Sequence, residues 1–240
     1  MTELSIIIPV YNEKNTIIKI IDKVLNIKNI NKQVIVVDDF SLDGSREILI
    51  KSKRKIKLLL HSKNMGKGAA IRSAQQHIQG NYVIIQDADL EYSPNDYYPL
   101  LKSIKENNLK VLYGSRVLKR KLENRNNSKE KHKIQNFTHS VRIFANFILT
   151  MISNIINTQN LTDAHTCYKL FDSKMFKSIK LEENGFAFCP EITTKISNLK
   201  LNITELPINY AGRTYKEGKK IKFIHGIEAI YALFKYKFFK

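Results

Sequence analysis

The chain has only two cysteines, Cys167 and Cys189, in 240 residues. Two thiols cannot build a disulfide framework, and neither lies in a Cys-x-x-Cys or Cys/His cluster, so structural zinc is not expected. No uninterrupted apolar stretch reaches the roughly 18 residues that a membrane-spanning helix needs. The first apolar run, Leu4 to Val10, follows no basic segment or cleavage site, so no signal peptide is expected. The first strand-to-helix turn lacks Gly-x-Gly-x-x-Gly, which removes the main support for a dinucleotide cofactor. The six histidines show no His-Glu-x-x-His spacing. A Ser/His/Asp or Cys/His nucleophile constellation is also missing. Acidic residues are scarce: 22 Asp and Glu stand against 40 Lys and Arg, a net charge of +18.

That charge favours anionic partners such as nucleic acid, anionic lipid or phosphorylated small molecules. A compositional bias towards Lys, Asn and Ile would raise it without any binding purpose, and both explanations stay open. No zinc-finger spacing or RNP-type aromatic motif is present, so nucleic acid is not expected as a partner. The densest run, Lys119 to Lys133, has seven Lys/Arg against two Glu. It shows no apolar period and reads as a mobile, solvated loop.

The composition is globular, with 43% hydrophobic and 26% charged residues. The length suits one large domain with a small appendage. Leu4–Val10, Val34–Val37, Lys57–Leu60, Tyr82–Gln86 and Val111–Tyr113 read as strands. Helical patterns over Ile17–Leu25, Ser41–Lys51, Gly68–Ile78 and Tyr97–Glu106 separate them. This alternation predicts a mainly parallel sheet covered on both faces, with the ligand crevice at the carboxyl ends of the strands. Further on, Phe137–Ile156 reads as a long apolar helix, Cys167–Phe171 as a strand, Pro190–Leu199 as a helix and Leu206–Tyr210 as a strand. Ile224–Phe239 reads as a helix rich in aromatics and lysine.

Polar residues follow the strands directly. Asp87 and Asp89, two apart after a buried strand, suit a hard divalent cation shared with a diphosphate; a solvated turn would use the same residues. Asp38-Asp39 end the second strand, where a carboxylate can accept from a ribose or a base, or simply belong to the start of the next helix with Ser41 or Asp43 as its cap. Asn64-Met65-Gly66-Lys67-Gly68 opens a helix, either as a phosphate-approaching loop or as a structural tight turn. It is not a P-loop, because Gly-x-x-x-x-Gly-Lys is absent. Gly212-Arg213 and Lys219-Lys220 supply cations for phosphate, or simply form a solvated basic loop.

Taken in order, Pro9-Val10-Tyr11-Asn12-Glu13, Val36-Val37-Asp38-Asp39-Phe40-Ser41, Gly66-Lys67-Gly68-Ala69-Ala70, Asp87-Ala88-Asp89-Leu90 and Gly114-Ser115-Arg116 resemble the family 2 glycosyltransferases of GT-A fold. Asp163 to Phe171 (DAHTCYKLF) and Pro207 to Ile221 resemble the dolichyl- or polyprenyl-phosphate sugar synthases within it. The resemblance covers about residues 4–223.

The resemblance implies a GT-A domain over 1–223, with a nucleotide-sugar half (1–116) and an acceptor half (117–223), followed by an amphipathic helix (224–240). It implies that Pro9, Tyr11, Glu13, Val37 and Asp39 line the base and ribose pocket. Asp87, Ala88 and Asp89 would meet the diphosphate, and Lys67, Arg213 and Lys219 join the donor-binding set. Asp87, Asp89 and Glu91 would ligate Mg2+ or Mn2+, Glu91 standing where the mannosyltransferases commonly carry Gln. Arg116 and Arg142 would take the acceptor phosphate. Asp163 would line the site, and Asp89, Asp163 and Arg116 form the catalytic set. Cys167 stands where the family has glycine.

The implied reaction is an inverting transfer of a hexose, from a donor of the GDP-mannose or UDP-glucose type, to a polyprenyl phosphate. A phosphate monoester is largely ionised at neutral pH and attacks without a general base, unlike the water of a glycosidase. The alternative is a saccharide or other hydroxyl acceptor, for which Asp163 is the candidate base. A remoter one is a non-catalytic anion or nucleic-acid binder. The enzyme is expected at the cytoplasmic face of a membrane as a peripheral protein, with Phe137–Ile156 and Ile224–Lys240 as interfacial helices; homodimer formation is left open.

Overall fold

A computed structural model describes residues 2–126, 137–213 and 224–239, without the side chains of 124–126 and 137–142. The strands are β1 (Leu4–Val10), β2 (Lys32–Asp38), β3 (Lys57–Leu60), β4 (Tyr82–Ile85), β5 (Val111–Ser115), β6 (Lys169–Asp172) and β7 (Thr204–Pro207). They form one sheet in the order β3-β2-β1-β4-β6-β5-β7. Every neighbouring pair is parallel except the two that β6 makes, with β4 and with β5.

Burial explains the apolar strand runs. β1 and β2 are covered on both faces, so Ile6, Ile7, Ile8, Val34, Ile35, Val36 and Val37 are all buried. The helix α1 (Ile17–Leu25) lays Ile17, Ile20, Ile21 and Val24 on that layer. The remaining helices of the first half are α2 (Ser45–Ile50), α3 (Lys67–Gln75) and α4 (Tyr97–Glu106), the last preceded by a 3-10 turn over Pro94–Asp96.

The expected basic loop is a helix for its first half. α5 (Arg116–Asn126) begins at Arg116, and only residues 127–136 of the run and its surroundings lie outside the described residues. The hydroxyl of Ser115 accepts from the amide of Leu118 at 3.1 Å and caps the first turn. Lys, Arg, Leu and Glu are all good helix formers. Apolar periodicity misses such a helix because Lys, Arg and Glu outnumber its few apolar residues.

In the second half, α6 (Phe137–Asn157), α7 (Ser173–Ser178), α8 (Phe188–Asn198) and α9 (Ile224–Phe238) complete the chain. α9 packs against both α6 and α8. Tyr236 and Lys235 both reach Glu183, at 2.8 and 2.9 Å. The outer face of α6 exposes Phe144, Phe147, Met151 and Ile155, and α9 exposes Ile227, Tyr231, Phe234 and Phe238. Among the described residues no helix is long and apolar enough to cross a membrane.

The topology gathers the polar residues. β1, β2, β4, β5 and β7 run the same way, so Tyr11, Asp38, Asp87, Arg116 and Ile208 follow strand ends on one edge of the sheet. β6 runs in reverse, so its beginning lies at that same edge and brings the preceding loop, with Asp163, to it. One antiparallel strand thus lets the second half of the chain face the first across a common crevice.

Candidate functional site

The glycine loop is built for contact with protein backbone. A Cβ on Gly68 would lie 2.2 Å from the carbonyl oxygen of Glu183, and one on Gly66 would lie 2.4 Å from that of Asn184. Gly66 also has φ +94°, a conformation that suits glycine. The amide of Ala69 donates to the Asn184 carbonyl at 3.1 Å. The close approach of the Glu183–Gly185 segment accounts for both glycines.

Asp39 is buried at the end of β2 and secures that loop. Its carboxylate accepts from the amides of Met65 (2.8 Å) and Gly66 (2.7 Å) and lies 2.7 Å from His61 Nδ1. Asp38 is held by Arg46 at 2.6 Å. Val37 is wholly buried beneath the crevice, opposite Pro9 in the strand register. Tyr11 and Glu13 follow on the loop after β1.

Lys67, the first residue of α3, donates to Asp87 at 2.5 Å. Burial disfavours charge on both, but each one's charge on the other prevails: the Lys67 pKa lies well above, and that of Asp87 below, the ordinary value. Cys167 Sγ sits 3.7 Å from the same ammonium. Cys167 therefore lies beside Asp87, and burial pushes its thiol pKa up, which disfavours the thiolate.

Asp89 is differently placed. Its pKa is raised to about 7, first by burial and then by the neighbouring carboxylates of Asp87 and Glu91. Its Oδ1 accepts from the Glu91 amide at 3.1 Å, and Oδ2 is 3.3 Å from Arg213 Nη2. Such an excess of negative charge suits a divalent cation. Glu91 faces the loop after β7: Tyr210 donates its hydroxyl to Oε2, and the Arg213 amide donates to Oε1, each at 2.6 Å. Among the described residues no three His, Cys, Asp or Glu side chains are gathered as a metal cluster. Asp87, Asp89 and Glu91 are neighbours, each with its own protein partner.

Arg213 closes this side. Its guanidinium grips Glu13 with two hydrogen bonds, at 2.9 and 3.1 Å, besides reaching Asp89. The first and fourth sequence motifs are thus joined by one residue from the far end of the chain. Lys219 lies outside the described residues, as does the side chain of Arg142.

After β5, Arg116 forms a forked ion pair with Asp163, Nε to Oδ2 and Nη2 to Oδ1, both 2.6 Å. Asp163 also accepts from the Arg116 amide (3.1 Å) and from Asn146 (3.2 Å). Burial pushes its pKa up, but the charge and hydrogen bonds of Arg116 outweigh this and hold it below the usual carboxylate value. The Arg116 guanidinium also lies 5.1 Å from the centroid of the Tyr210 ring. Tyr210 therefore touches Arg116 with its ring and Glu91 with its hydroxyl.

Several further residues around the site were given no role by the sequence. Lys169 is wholly buried, donating to the Ala164 carbonyl at 2.7 Å and standing 3.7 Å over the Tyr113 ring. Glu205 accepts from the amides of Thr162 and Asp163 at 2.6 and 2.9 Å, shaping the loop that presents Asp163. Tyr97 and Tyr168 both donate to Gln86 Oε1, at 2.5 and 2.6 Å, beneath Asp87. Tyr168 and Lys169 fall inside the strand run Cys167–Phe171, where Lys169 is a lone charge.

Comparison with known proteins identifies the family and the fold. The model of glycosyl transferase family 2 matches residues 5–180. The chain is 29% identical, over 86% of its length, to a dolichyl-phosphate beta-glucosyltransferase of Trichomonas vaginalis, spanning 65% of that protein. It is 25% identical, over 90% of its length, to the dolichol-phosphate mannosyltransferase of Pyrococcus furiosus, spanning 59% of it. Among solved structures it resembles glucosyl-3-phosphoglycerate synthase from Mycobacterium tuberculosis, in complex with Mn2+, UDP and phosphoglyceric acid. The TM-score is 0.69, over 99% of this chain and 79% of that one, at 13% identity. The Mn2+ and UDP-glucose complex of the same enzyme gives 0.66 over 98% and 79%, at 14% identity. This likeness is one of fold, and the fold is GT-A.

Proposed function

The chain belongs to glycosyl transferase family 2, and from that premise we propose that it transfers a hexose, with inversion, from a nucleoside diphosphate sugar to a polyprenyl phosphate. The donor side would be formed by Pro9, Tyr11, Glu13, Val37, Asp39, Lys67, Asp87, Ala88, Asp89 and Arg213, with Lys219. Two relatives named for dolichyl-phosphate glucose and mannose transfer support this class of acceptor. Their names leave GDP-mannose and UDP-glucose as the donors to compare.

The observation that carries the choice of acceptor is the state of Asp163. A hydroxyl acceptor needs a base, and Asp163 is the candidate on that side. Its two oxygens already receive four hydrogen bonds, three of them from Arg116. A buried carboxylate so held, with a depressed pKa, is a weak proton acceptor. A phosphate monoester carries its own charge to the anomeric carbon and needs no base. In this reading Asp163 orients Arg116, and Arg116 presents its remaining N–H groups to the acceptor phosphate, with Arg142 on α6 as a second cation.

Mg2+ or Mn2+ would be held by Asp89, with Asp87 and Glu91 beside it, and would offset the charge developing on the departing nucleoside diphosphate. The apolar outer faces of α6 and α9 would rest on the bilayer that holds the lipid, at its cytoplasmic face.

The test is a transfer assay with polyprenyl phosphate, Mg2+ or Mn2+, and GDP-mannose or UDP-glucose in parallel. An organic-extractable sugar lipid, absent with EDTA and absent with a folded Asp89→Ala variant, is the expected result. Undiminished turnover by Asp89→Ala would remove the metal assignment. Transfer only to a saccharide hydroxyl would remove the lipid-phosphate acceptor.

A further inference from the structure

Arg213 lies where the donor's metal and phosphates are proposed to sit. Its guanidinium is shared between Glu13 and Asp89, at 2.9 and 3.3 Å through the same Nη2. Its Nε is buried and has no hydrogen-bond partner. A buried guanidinium N–H without an acceptor is a costly arrangement. The side chain therefore fills this position with its Nη groups paired and its Nε unsatisfied, as a group with a second place to go would.

The backbone that carries it is firmly held. Asn209 is fixed to Asp96 through its amide (2.8 Å) and its side chain (2.7 Å). Tyr210 is fixed to Glu91 (2.6 Å), the amide of Ala211 to the Glu91 carbonyl (2.9 Å), and the Arg213 amide to the Glu91 carboxylate (2.6 Å). The Arg213 side chain thus extends from a residue whose own amide is tied to Glu91. Its charge stands between Glu13 and Asp89, with Glu91 nearby. Only one of the two cations can satisfy Asp89 at a time.

We propose that Arg213 is the resident counter-cation of the donor crevice. In the metal-free protein it pairs with Glu13 and Asp89. It gives up Asp89 when a divalent cation binds there, and its freed guanidinium then takes the donor diphosphate. This rests on the metal assignment made above. It adds that metal and arginine compete for Asp89, so that the crevice is charge-balanced before the donor arrives and the metal is held weakly until the diphosphate recruits Arg213.

The proposal predicts opposite shifts in two affinities, which general damage to the fold would not produce. Mn2+ alone is titrated into wild type and Arg213→Met, followed by calorimetry and by the loss of the free Mn2+ spin-resonance signal. The titration is repeated with UDP or GDP present. Loss of one displaced ion pair should tighten Mn2+ alone by about tenfold. Loss of a phosphate-binding fork should weaken the Mn2+–nucleotide complex by about tenfold or more. If Arg213→Met does not fold, Arg213→Lys, whose ammonium cannot make the fork, should shift both affinities in the same directions but less. Mn2+ affinity that is unchanged or weaker in the folded variant would overturn the competition and leave the transferase reading standing. No Mn2+ binding by either protein would overturn both the metal assignment and the competition. Neither readout requires turnover.

Discussion

Replacing Asp163 with Asn leaves the Arg116 guanidinium buried against a neutral partner. The carboxylate is wholly buried and receives Arg116 through Nε and Nη2, both at 2.6 Å. Removing one member of a buried ion pair costs about 3–5 kcal/mol, because the other charge is stranded. Asn retains one oxygen that still accepts from Arg116, so the low end, about 3 kcal/mol, is expected. For a chain of this size that lowers the melting temperature by roughly 6–12 °C. The sign with pH follows from the depressed pKa of Asp163. Its contribution is present above the unfolded carboxylate value, near about 4, and is lost as the pH falls through the lower folded value. Wild type and Asp163→Asn should therefore differ most at neutral pH and converge in acid. Urea denaturation of both, and of Arg116→Met alone and combined with Asp163→Asn, gives the pair's coupling energy. A neutral-pH difference under about 1 kcal/mol, or strict additivity in the cycle, would refute the view that the two residues form one buried unit. Retention of transfer by the folded Asp163→Asn fraction, with an unaltered acidic limb, would agree with its having no role as a base.

Other substitutions probe the surroundings. Gly68→Ala places a Cβ 2.2 Å from the Glu183 carbonyl oxygen and should cost about 2–3 kcal/mol in urea denaturation, whereas Gly185→Ala meets nothing within 4 Å and should stay within about 0.5 kcal/mol. Equal effects would show that the approach of these two segments is looser than the structure has it. The pKa of His165 is lowered to about 4, chiefly by burial and then by the charge of Lys169. Its neutral form therefore stabilises the fold above about pH 6.5, and that contribution is lost as the pH falls towards 4. His165→Gln should flatten the wild-type loss over this window, a difference of about 2 kcal/mol for a half-buried ring. Parallel stability curves would exclude the shift.

The sequence showed the donor half well because its chemistry is local. β1 and β3 have the bounds that their apolar runs predict, and the polar residues after each strand reach one edge because the strands are parallel. The rest of the site was harder to read because its partners are distant in the chain. Arg116 and Asp163 are 47 residues apart, and Arg213 and Glu13 are 200 apart. No spacing rule links such pairs. Glu91 shows the limit of a motif. Its position suggested a ligand, but its carboxylate meets Tyr210 and the Arg213 amide, which only the folded loop could reveal. β7 begins at Thr204, two residues before the predicted Leu206, because edge pairing with β5 extends beyond the apolar residues. α5 was hidden by its charge, and the glycine loop was left between two roles until the backbone of Glu183 and Asn184 was seen against it.

The reversed strand β6 has a consequence for synthesis. β5 is made early, yet its inner neighbour in the sheet is β6, which follows it by more than fifty residues. Until Lys169–Asp172 leaves the ribosome, the facing edges of β4 and β5 have no strand between them. The nascent chain thus carries two open sheet edges while α6, with its apolar face, is also emerging, a combination that invites association with other chains. The same late strand welds the two halves: it pairs with β4 on one side and β5 on the other. The expected division near residue 116 therefore does not mark two folding units, and a fragment ending there would lack the strand that joins β4 to β5.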